Sequence, residues 1–121
     1  MENEAKITLG GKEYPLFMSV RAVKEISEKY GGLEKLGESM ANNSNIMDTI
    51  DDVVWLIILL ANQPIMTYNR AHIGEEKPLL TIEDVELMAG LDDLEGMQDA
   101  ILLAMSRGTS RSIVSEQSKN A

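Results

Sequence analysis

The middle of the chain carries nine consecutive apolar residues, from Val53 to Ala61, and these limit the folds open to it. Around them, apolar residues recur at three- and four-residue steps on one helical face: Ile46, Ile50, Val53, Val54, Ile57, Ile58 and Ala61. Trp55, Leu56, Leu59 and Leu60 make the centre apolar on every side, and such a helix is normally buried. Because a bilayer needs about 20 apolar residues, we expect no membrane-spanning segment.

Length and composition fit one domain built around that helix. A chain of 121 residues buries roughly two-thirds of its unfolded surface, which is enough for one modest core. Hydrophobic residues make up 44% and charged residues 26%, as in ordinary globular proteins. Aromatic residues reach only 4%, so the core is expected to consist mainly of Leu, Ile, Val and Met.

The chain is acidic, with 20 acidic against 11 basic residues and a net charge of −9. Such a chain repels phosphate backbones, so we expect no nucleic-acid partner. Seven acids and no base lie between Thr81 and Ser106. The absence of cysteine excludes disulfides and zinc–thiolate sites, and the N-terminal residues lack the pattern of a secretory signal. The acidic charge favours basic or apolar protein partners, and the absence of cysteine is compatible with a reducing cytoplasm.

Residues 5–18 predict a β-hairpin. Apolar and polar residues alternate over 5–9, and Gly10-Gly11 supplies the positive φ angles of a two-residue turn. That turn pairs Leu9 with Lys12 and Ile7 with Tyr14, which gathers the apolar residues on one face. An isolated hairpin is marginal in water, so this face must pack on helices or join strands of another copy. The residues expected at such an oligomer edge are Ile7, Leu9, Tyr14 and Leu16.

Helical periodicity follows the hairpin. Ser19 is a predicted N-cap and Gly31 a left-handed C-terminal stop for a first helix. Its expected inward residues are Val20, Val23, Ile26, Ser27 and Tyr30. A shorter second helix is expected before a polar loop over residues 42–45. In the central helix, Pro64 removes one backbone hydrogen bond, and we expect the helix to continue beyond it with a kink.

Two further helices are predicted near the C-terminus. Thr81 with Asp84 forms a weak variant of the capping box, and Gly108 is a predicted stop. The residues expected to face inward are Ile82, Val85, Met88 and Ala89 in one helix, and Leu94, Met97, Ile101, Leu102 and Met105 in the other.

Together these elements predict an α+β, mainly α fold, with a short N-terminal β-hairpin packed on a bundle of about five helices. The predicted helices span about 19–30, 33–40, 46–70, 81–89 and 92–107. Residues 1–108 are expected to form a single globular domain. Residues 109–121 are polar and without periodicity, which predicts a flexible tail.

The sequence offers no recognisable catalytic, cofactor-binding or metal-binding constellation. His72 is the single histidine and lies in a polar connection, where a solvated side chain is the ordinary interpretation. The pairs Asp51-Asp52 and Asp92-Asp93 are explained by helix-start electrostatics, because neighbouring residues on a helix diverge. Leu103 stands where a calcium-binding loop beginning at Asp92 would need glutamate. We therefore expect no enzymatic activity.

The eight methionines offer a different hypothesis. Methionine side chains adapt to more than one partner, so some of them could line a binding groove. The alternative interpretation is that they fill the core of a protein poor in aromatic residues. Leu103 lies off the apolar face of its helix and would suggest a contact surface if exposed. The predicted partner-binding residues are Met66, Met88, Met97, Leu103 and Met105.

Several segments resemble, in order and spacing, the small tail assembly chaperones of phages and prophages of Gram-positive bacteria. The matching segments are ITLGGKEYPL at 7–16, VRAVKEI at 20–26, KYGGL at 29–33, WLI at 55–57, ANQ at 61–63, YN at 68–69, KPLLT at 77–81 and the closing helix at 100–108. The resemblance covers residues 5 to 108. It departs from the family at Pro64, where those proteins more often have a small or flexible residue.

The resemblance implies a non-enzymatic assembly chaperone in the cytoplasm of the bacterial host. Such a chaperone holds the tape measure protein soluble and aids polymerisation of the tail tube protein around it. The expected partner is the tape measure protein; the tail tube protein and further copies of the chain are further candidates, and no nucleic acid or membrane is expected. The alternative is a small structural or connector component of a phage virion.

Overall fold

The computed structural model describes the backbone of residues 5–42 and 45–120, and side chains as far as Arg107. The elements in order are β1 (Lys6–Leu9), β2 (Lys12–Pro15), α1 (Val20–Tyr30), α2 (Leu33–Asn42), α3 (Ile46–Ala71), α4 (Ile82–Met88), a 3₁₀ turn (Leu91–Asp93) and α5 (Leu94–Asn120). The predicted α+β, mainly α architecture of a hairpin and five helices is confirmed.

The hairpin has the predicted register, with Ile7 opposite Tyr14 and Leu9 opposite Lys12. Gly10 and Gly11 have φ angles of 57° and 78°, the left-handed conformation that a two-residue primed turn requires. The inner face is buried at Ala5, Ile7, Leu9 and Leu16. It packs within the same chain, with β1 against α5 and β2 against α3.

α1 begins and ends at the predicted signals. The Ser19 Oγ accepts a hydrogen bond from the Ala22 amide at 3.1 Å, and Gly31 closes the helix with a φ of 92°. The prediction that Val20 and Ser27 face inward is wrong, because Val20 is 79% exposed and Ser27 is also exposed, while Ala22 is fully buried. α2 continues to Asn42, two residues beyond its predicted end. In the predicted loop over 42–45, Asn42 is therefore helical and Asn45 is the N-cap of α3. Residues 43–44 lie outside the described residues.

α3 is the core helix and continues through Pro64 to Ala71. A proline has no amide hydrogen, so the Leu60 carbonyl loses its intrahelical donor. The Phe17 amide takes that place and donates to the Leu60 oxygen at 3.1 Å. The chain leaving the hairpin is thereby fixed to α3 at the position that the proline opens.

By length and composition alone, α3 could cross a membrane. Half of its most apolar 18-residue window is buried inside the protein, as is usual for the core helix of a globular domain. Its buried residues include the polar Asn62 and Gln63 beside Leu56, Ile57 and Leu60.

α4 begins with the predicted capping box, in which Thr81 and Asp84 bond to each other's backbone amides at 3.0 and 3.1 Å. Val85 is buried and Ala89 is partly buried, as expected. The inward predictions for Ile82 and Met88 are wrong, since these side chains are 54% and 43% exposed. A helix of seven residues has room for little more than one buried turn.

α5 begins at Leu94, after a 3₁₀ turn that contains Asp92 and Asp93. The helix continues past Gly108 to Asn120 instead of ending at the glycine. Glycine lowers helix propensity by about 1 kcal/mol but keeps its amide hydrogen, so it does not by itself terminate a helix. Side chains after Arg107 lie outside the described residues, and the flexibility of 109–121 stays a prediction.

The buried face of α5 is rotated from the predicted one, so that the residues preceding Ile101 and Met105 are buried in place of Leu102 and Met105. Met97, Ala100, Ile101 and Ala104 are buried, whereas Leu102 is 48% exposed. Leu103, expected off the apolar face, is partly buried against the core. The small side chains of Ala100 and Ala104 allow α5 to approach α3 closely. These two residues therefore face the core, and Leu102 does not.

Candidate binding groove along the central helix

An extended segment, Lys77–Leu80, crosses α3 and is held there by two asparagines; we call it the strap. Asn62 donates from Nδ2 to the Leu80 carbonyl at 2.9 Å and accepts from the Leu80 amide at 2.8 Å. Both residues are buried. An asparagine amide offers the same donor and acceptor as a peptide group, so Asn62 satisfies both backbone groups of Leu80.

Asn69 repeats this arrangement at the other end of the strap. Its amide donates to the Lys77 carbonyl at 3.0 Å and accepts from the Lys77 amide at 2.8 Å. Seven helical residues advance about 10.5 Å, and three extended residues advance about 10 Å. The spacing of Asn62 and Asn69 therefore matches that of Leu80 and Lys77, and the strap is held at two points.

Aromatic stacking fixes the beginning of the strap. The Lys77 ammonium lies 4.4 Å from the centroid of the Tyr68 ring, and the His72 ring stacks on the same tyrosine with the ring centroids 3.8 Å apart. The His72 Nδ1 lies 2.8 Å from the Tyr68 carbonyl oxygen. These contacts give His72 a structural role at the end of α3.

The strap and α1 form the two walls of a groove whose floor is α3. Two adjoining cavities of about 300 and 500 Å³ share Gln63, Met66 and Leu79 in their linings. We call them together the groove. The remaining lining residues are Ser19, Val20, Arg21, Glu25, Trp55, Ile58, Leu59, Asn62, Thr67, Asn69, Arg70 and Ile82.

Polar bonds connect the floor of the groove to the α1 wall. The Ser19 hydroxyl donates to Gln63 Oε1, while Gln63 Nε2 donates to the Leu59 carbonyl at 2.9 Å. Ser19 also caps α1, so one hydroxyl positions both the first turn of α1 and the floor beneath it. With the asparagines holding the opposite wall, the groove is shaped by bonds within the chain.

Exposed apolar side chains border the groove. Val20 is 79% exposed, Ile82 is 54% exposed and Leu79 is 44% exposed, while Met66 is partly buried between them. Single exposed apolar residues are common on protein surfaces, but a contiguous set along one groove is typical of interaction sites.

The groove is basic in an acidic protein. Beside Trp55, it leads into a further cavity of about 670 Å³ lined by Arg21, Lys24, Glu25, Glu28 and Lys29. Across the groove and this extension, the charged lining residues are the basic Arg21, Lys24, Lys29 and Arg70 and the acidic Glu25 and Glu28. Arg21, Lys24 and Arg70 form no ion pair with any other residue whose side chain is described.

Aromatic residues anchor the extension. The Lys29 ammonium lies 5.1 Å from the Trp55 ring centroid and 5.7 Å from that of Tyr30. The Tyr30 and Trp55 rings meet edge to face at 6.0 Å. The Tyr30 hydroxyl donates to the Asp52 carboxylate at 2.7 Å, which joins the end of α1 to the beginning of α3.

We expect Tyr30 to ionise late in an alkaline titration. Burial raises the pKa of the Tyr30 hydroxyl, and the hydrogen bond to Asp52 and the charge of that carboxylate raise it further. The neutral hydroxyl therefore stabilises the fold fully below about pH 10, and this contribution is lost as the pH rises through the elevated pKa. Ultraviolet absorbance should show a late-ionising tyrosine that Tyr30→Phe removes.

Asp52→Asn is the matched control for that titration. The amide oxygen can still accept the hydrogen bond, but the negative charge is gone, so the pKa of Tyr30 should fall part of the way toward its ordinary value. An unchanged titration in Tyr30→Phe would contradict the assignment.

The structure does not gather the predicted partner-binding residues on one surface. Met66 lines the groove, and Met88 is exposed at the hairpin turn, where its sulfur lies near Gly10. Met97 is only 4% exposed and belongs to the core, so it offers no contact surface. Leu103 and Met105 are partly buried against the core. Of the predicted residues, Met66 alone lies in the groove.

The predicted oligomer-edge residues also lie on the inner face. Ile7, Leu9 and Leu16 are buried against helices of the same chain, and Tyr14 is partly buried. Pairing between copies would therefore use backbone groups that point away from the partner strand, those of Lys6 and Thr8 in β1 or of Glu13 in β2. Self-association stays a prediction, and light scattering measures it.

Sequence reasoning missed Asn62, Asn69 and Leu79. A signal was present, because asparagine next to a continuous apolar run requires a hydrogen-bond partner when buried. A second asparagine seven residues later lies on nearly the same helical face. The partner segment, however, could not be read from that spacing alone.

A further apolar cavity of about 550 Å³ lies between the end of the hairpin, α3 and α5. Its lining residues include Phe17, Pro64 and Tyr68, and Arg107 is the one charged residue among the described residues that line it. The groove has a fixed strap wall and several cations that form no ion pair with a described residue, so it is the stronger candidate for binding.

Among the residues whose side chains are described, no group of three or more acidic or histidine residues could hold a metal ion. No protein-family model, curated protein or solved structure matches the chain.

Proposed function

We propose that this chain is a non-enzymatic assembly chaperone of a phage tail that holds the tape measure protein soluble while tail tube protein assembles around it. The observation that carries the proposal is the open groove, with an apolar lining that includes Trp55, Met66 and Leu79. The resemblance of residues 5–108 to phage tail assembly chaperones supplies the identity of the client.

The groove supports a holding role because its shape exists before a partner binds. The Asn62–Leu80 and Asn69–Lys77 bonds fix the strap wall, so little ordering is needed on binding. A helix laid in a preformed apolar groove is a common mode of peptide recognition. An acidic surface elsewhere on the chaperone would keep such a complex soluble.

Co-expression tests the proposal. The tape measure protein of the same phage or prophage is expressed with and without this chain, and the soluble, co-purifying fraction is measured through a tag on this chain. Soluble client that depends on this chain is the expected result. Equally insoluble client with nothing co-purified would contradict the proposal. Presence of the chain in finished tails would instead favour a structural or connector component.

Groove substitutions make this test specific. Val20→Gln combined with Met66→Gln removes apolar contact from the groove without adding charge, and should reduce the soluble client severalfold. Leu102→Gln is the matched control, because Leu102 is exposed on α5 and does not line the groove. Circular dichroism verifies that both variants are folded. Equal loss in both variants would place the contact elsewhere.

A further inference from the structure

We infer that the groove binds an amphipathic α-helix whose apolar stripe is flanked by acidic residues. The inference rests on the proposed function for the identity of the partner, and it adds the chemistry by which that partner is recognised. It follows from three properties of the groove. Its amide side chains already have hydrogen-bond partners within the chain, its floor has the length of a short helix, and its basic side chains form no ion pair with a described residue.

The hydrogen bonds in the groove favour a helix over an extended segment. Asn62 and Asn69, the groups best suited to bind an extended backbone, are bonded to the strap. Gln63 is bonded to Ser19 and to the Leu59 carbonyl. An extended occupant would bury peptide groups without partners, whereas a helix satisfies its own backbone.

The length of the groove sets the size of that helix. From Trp55 to Arg70 the floor follows α3 for about 22 Å, which corresponds to a helix of about 15 residues. Apolar side chains at Ile58 and Met66 would meet the stripe of the incoming helix, and Val20 and Leu79 would cover its sides.

The charge of the groove selects acidic flanks. Arg21, Lys24 and Arg70 are exposed and form no ion pair with a described residue. Arg21 lies over the floor, with its guanidinium 3.8 Å from the Met66 sulfur. The lining carries Glu25 and Glu28 against the four basic residues Arg21, Lys24, Lys29 and Arg70, so its charge is positive on balance. Acidic residues beside the apolar stripe would therefore be attracted, and lysines in the same places would be repelled.

Two synthetic peptides test this directly. Both have about 15 residues and the same leucine stripe in a helix-forming sequence, with flanks of glutamate in one and lysine in the other. Neither contains tryptophan, so fluorescence of Trp55, the single tryptophan of the chain, reports occupation of the groove. The glutamate-flanked peptide should bind about tenfold tighter at low salt, with the difference shrinking as salt is added.

Charge reversal provides the matched variants. Arg21→Glu with Lys24→Glu should abolish or invert the preference for the acidic peptide. Lys12→Glu with Lys35→Glu changes the net charge equally, at exposed positions outside the groove, and should retain the preference. Equal affinity for both peptides, or equal loss in both variants, would overturn the inference. Light scattering showing that the groove variant Met66→Gln breaks a self-assembled form of the chain would assign the groove to a second copy and also overturn it.

The outcome separates this inference from the proposed function. If the charge-reversed chain keeps the tape measure protein as soluble as the original chain does, the chaperone proposal stands and the acidic-helix inference is wrong. If the original chain fails to solubilise that client yet distinguishes the two peptides, the chaperone proposal is wrong and the groove chemistry stands.

Discussion

Replacement of Asn62 by leucine should lower the free energy of unfolding by about 3 kcal/mol. Leucine has a similar size but no polar group, so the Leu80 amide and carbonyl would each lose the partner that Asn62 now supplies. Leu80 is 5% exposed and Asn62 is 8% exposed, so water cannot easily replace those bonds. Urea denaturation followed by circular dichroism measures the change.

Asn69→Leu is the natural control, because Asn69 forms the same pair of bonds with Lys77. These bonds lie in an exposed environment, where water can satisfy the released backbone groups, so the expected loss is about 1 kcal/mol or less. The difference between the two variants isolates the effect of burial. Equal losses would mean that the Asn62 site is accessible to water and that the strap is less tightly held there than the structure implies.

Replacement of Ile101 by alanine should destabilise the fold by about 3 kcal/mol. The side chain is completely buried on the face of α5 that packs on α3, and its truncation would leave a cavity among residues that cannot fully collapse. A fall of this size is a large part of the stability of an ordinary domain, which is about 5–15 kcal/mol. Thermal and urea unfolding both measure it.

Leu102→Ala, one residue further, is the matched control. Leu102 is 48% exposed, so its truncation should cost about 0.5 kcal/mol. Sequence periodicity assigns both residues to the inner face, whereas the structure buries only Ile101. Comparing the losses of stability in Ile101→Ala and Leu102→Ala therefore tests which face of α5 is buried. A larger loss at Leu102 than at Ile101 would show that the helix packs through the opposite face.

Elements governed by neighbouring residues were predictable from the sequence. Gly10-Gly11 determines the hairpin register through the turn, and Ser19 and Gly31 bound α1 through bonds that reach three or four residues. The apolar run from Val53 to Ala61 predicted the core helix, because nine apolar residues are too few to span a bilayer and are stabilised by burial in the protein. Each of these signals acts between residues that are close in the sequence, so it can be recognised without knowing the rest of the fold.

The groove could be identified only from the tertiary structure. Methionine content predicted four contact residues, Met66, Met88, Met97 and Met105, yet only Met66 lies in the groove, because adaptability to partners and suitability for the core are the same property of that side chain. The exposed positions of Val20 and Leu79 depend on how α1 and the strap lie against α3. Their apolar character alone is equally consistent with burial.

What the sequence by itself determined was the inventory of elements, the hairpin register and the helix that forms the core. The tertiary structure alone decided that Asn62 bonds to Leu80, that Phe17 donates to the carbonyl opened by Pro64, and which face of α5 is buried. A buried polar group, or a carbonyl that a proline leaves without its helical donor, indicates in the sequence that a hydrogen-bond partner is needed. The partner lies far along the chain, and its identity depends on how the helices pack, which local patterns of hydrophobicity do not encode.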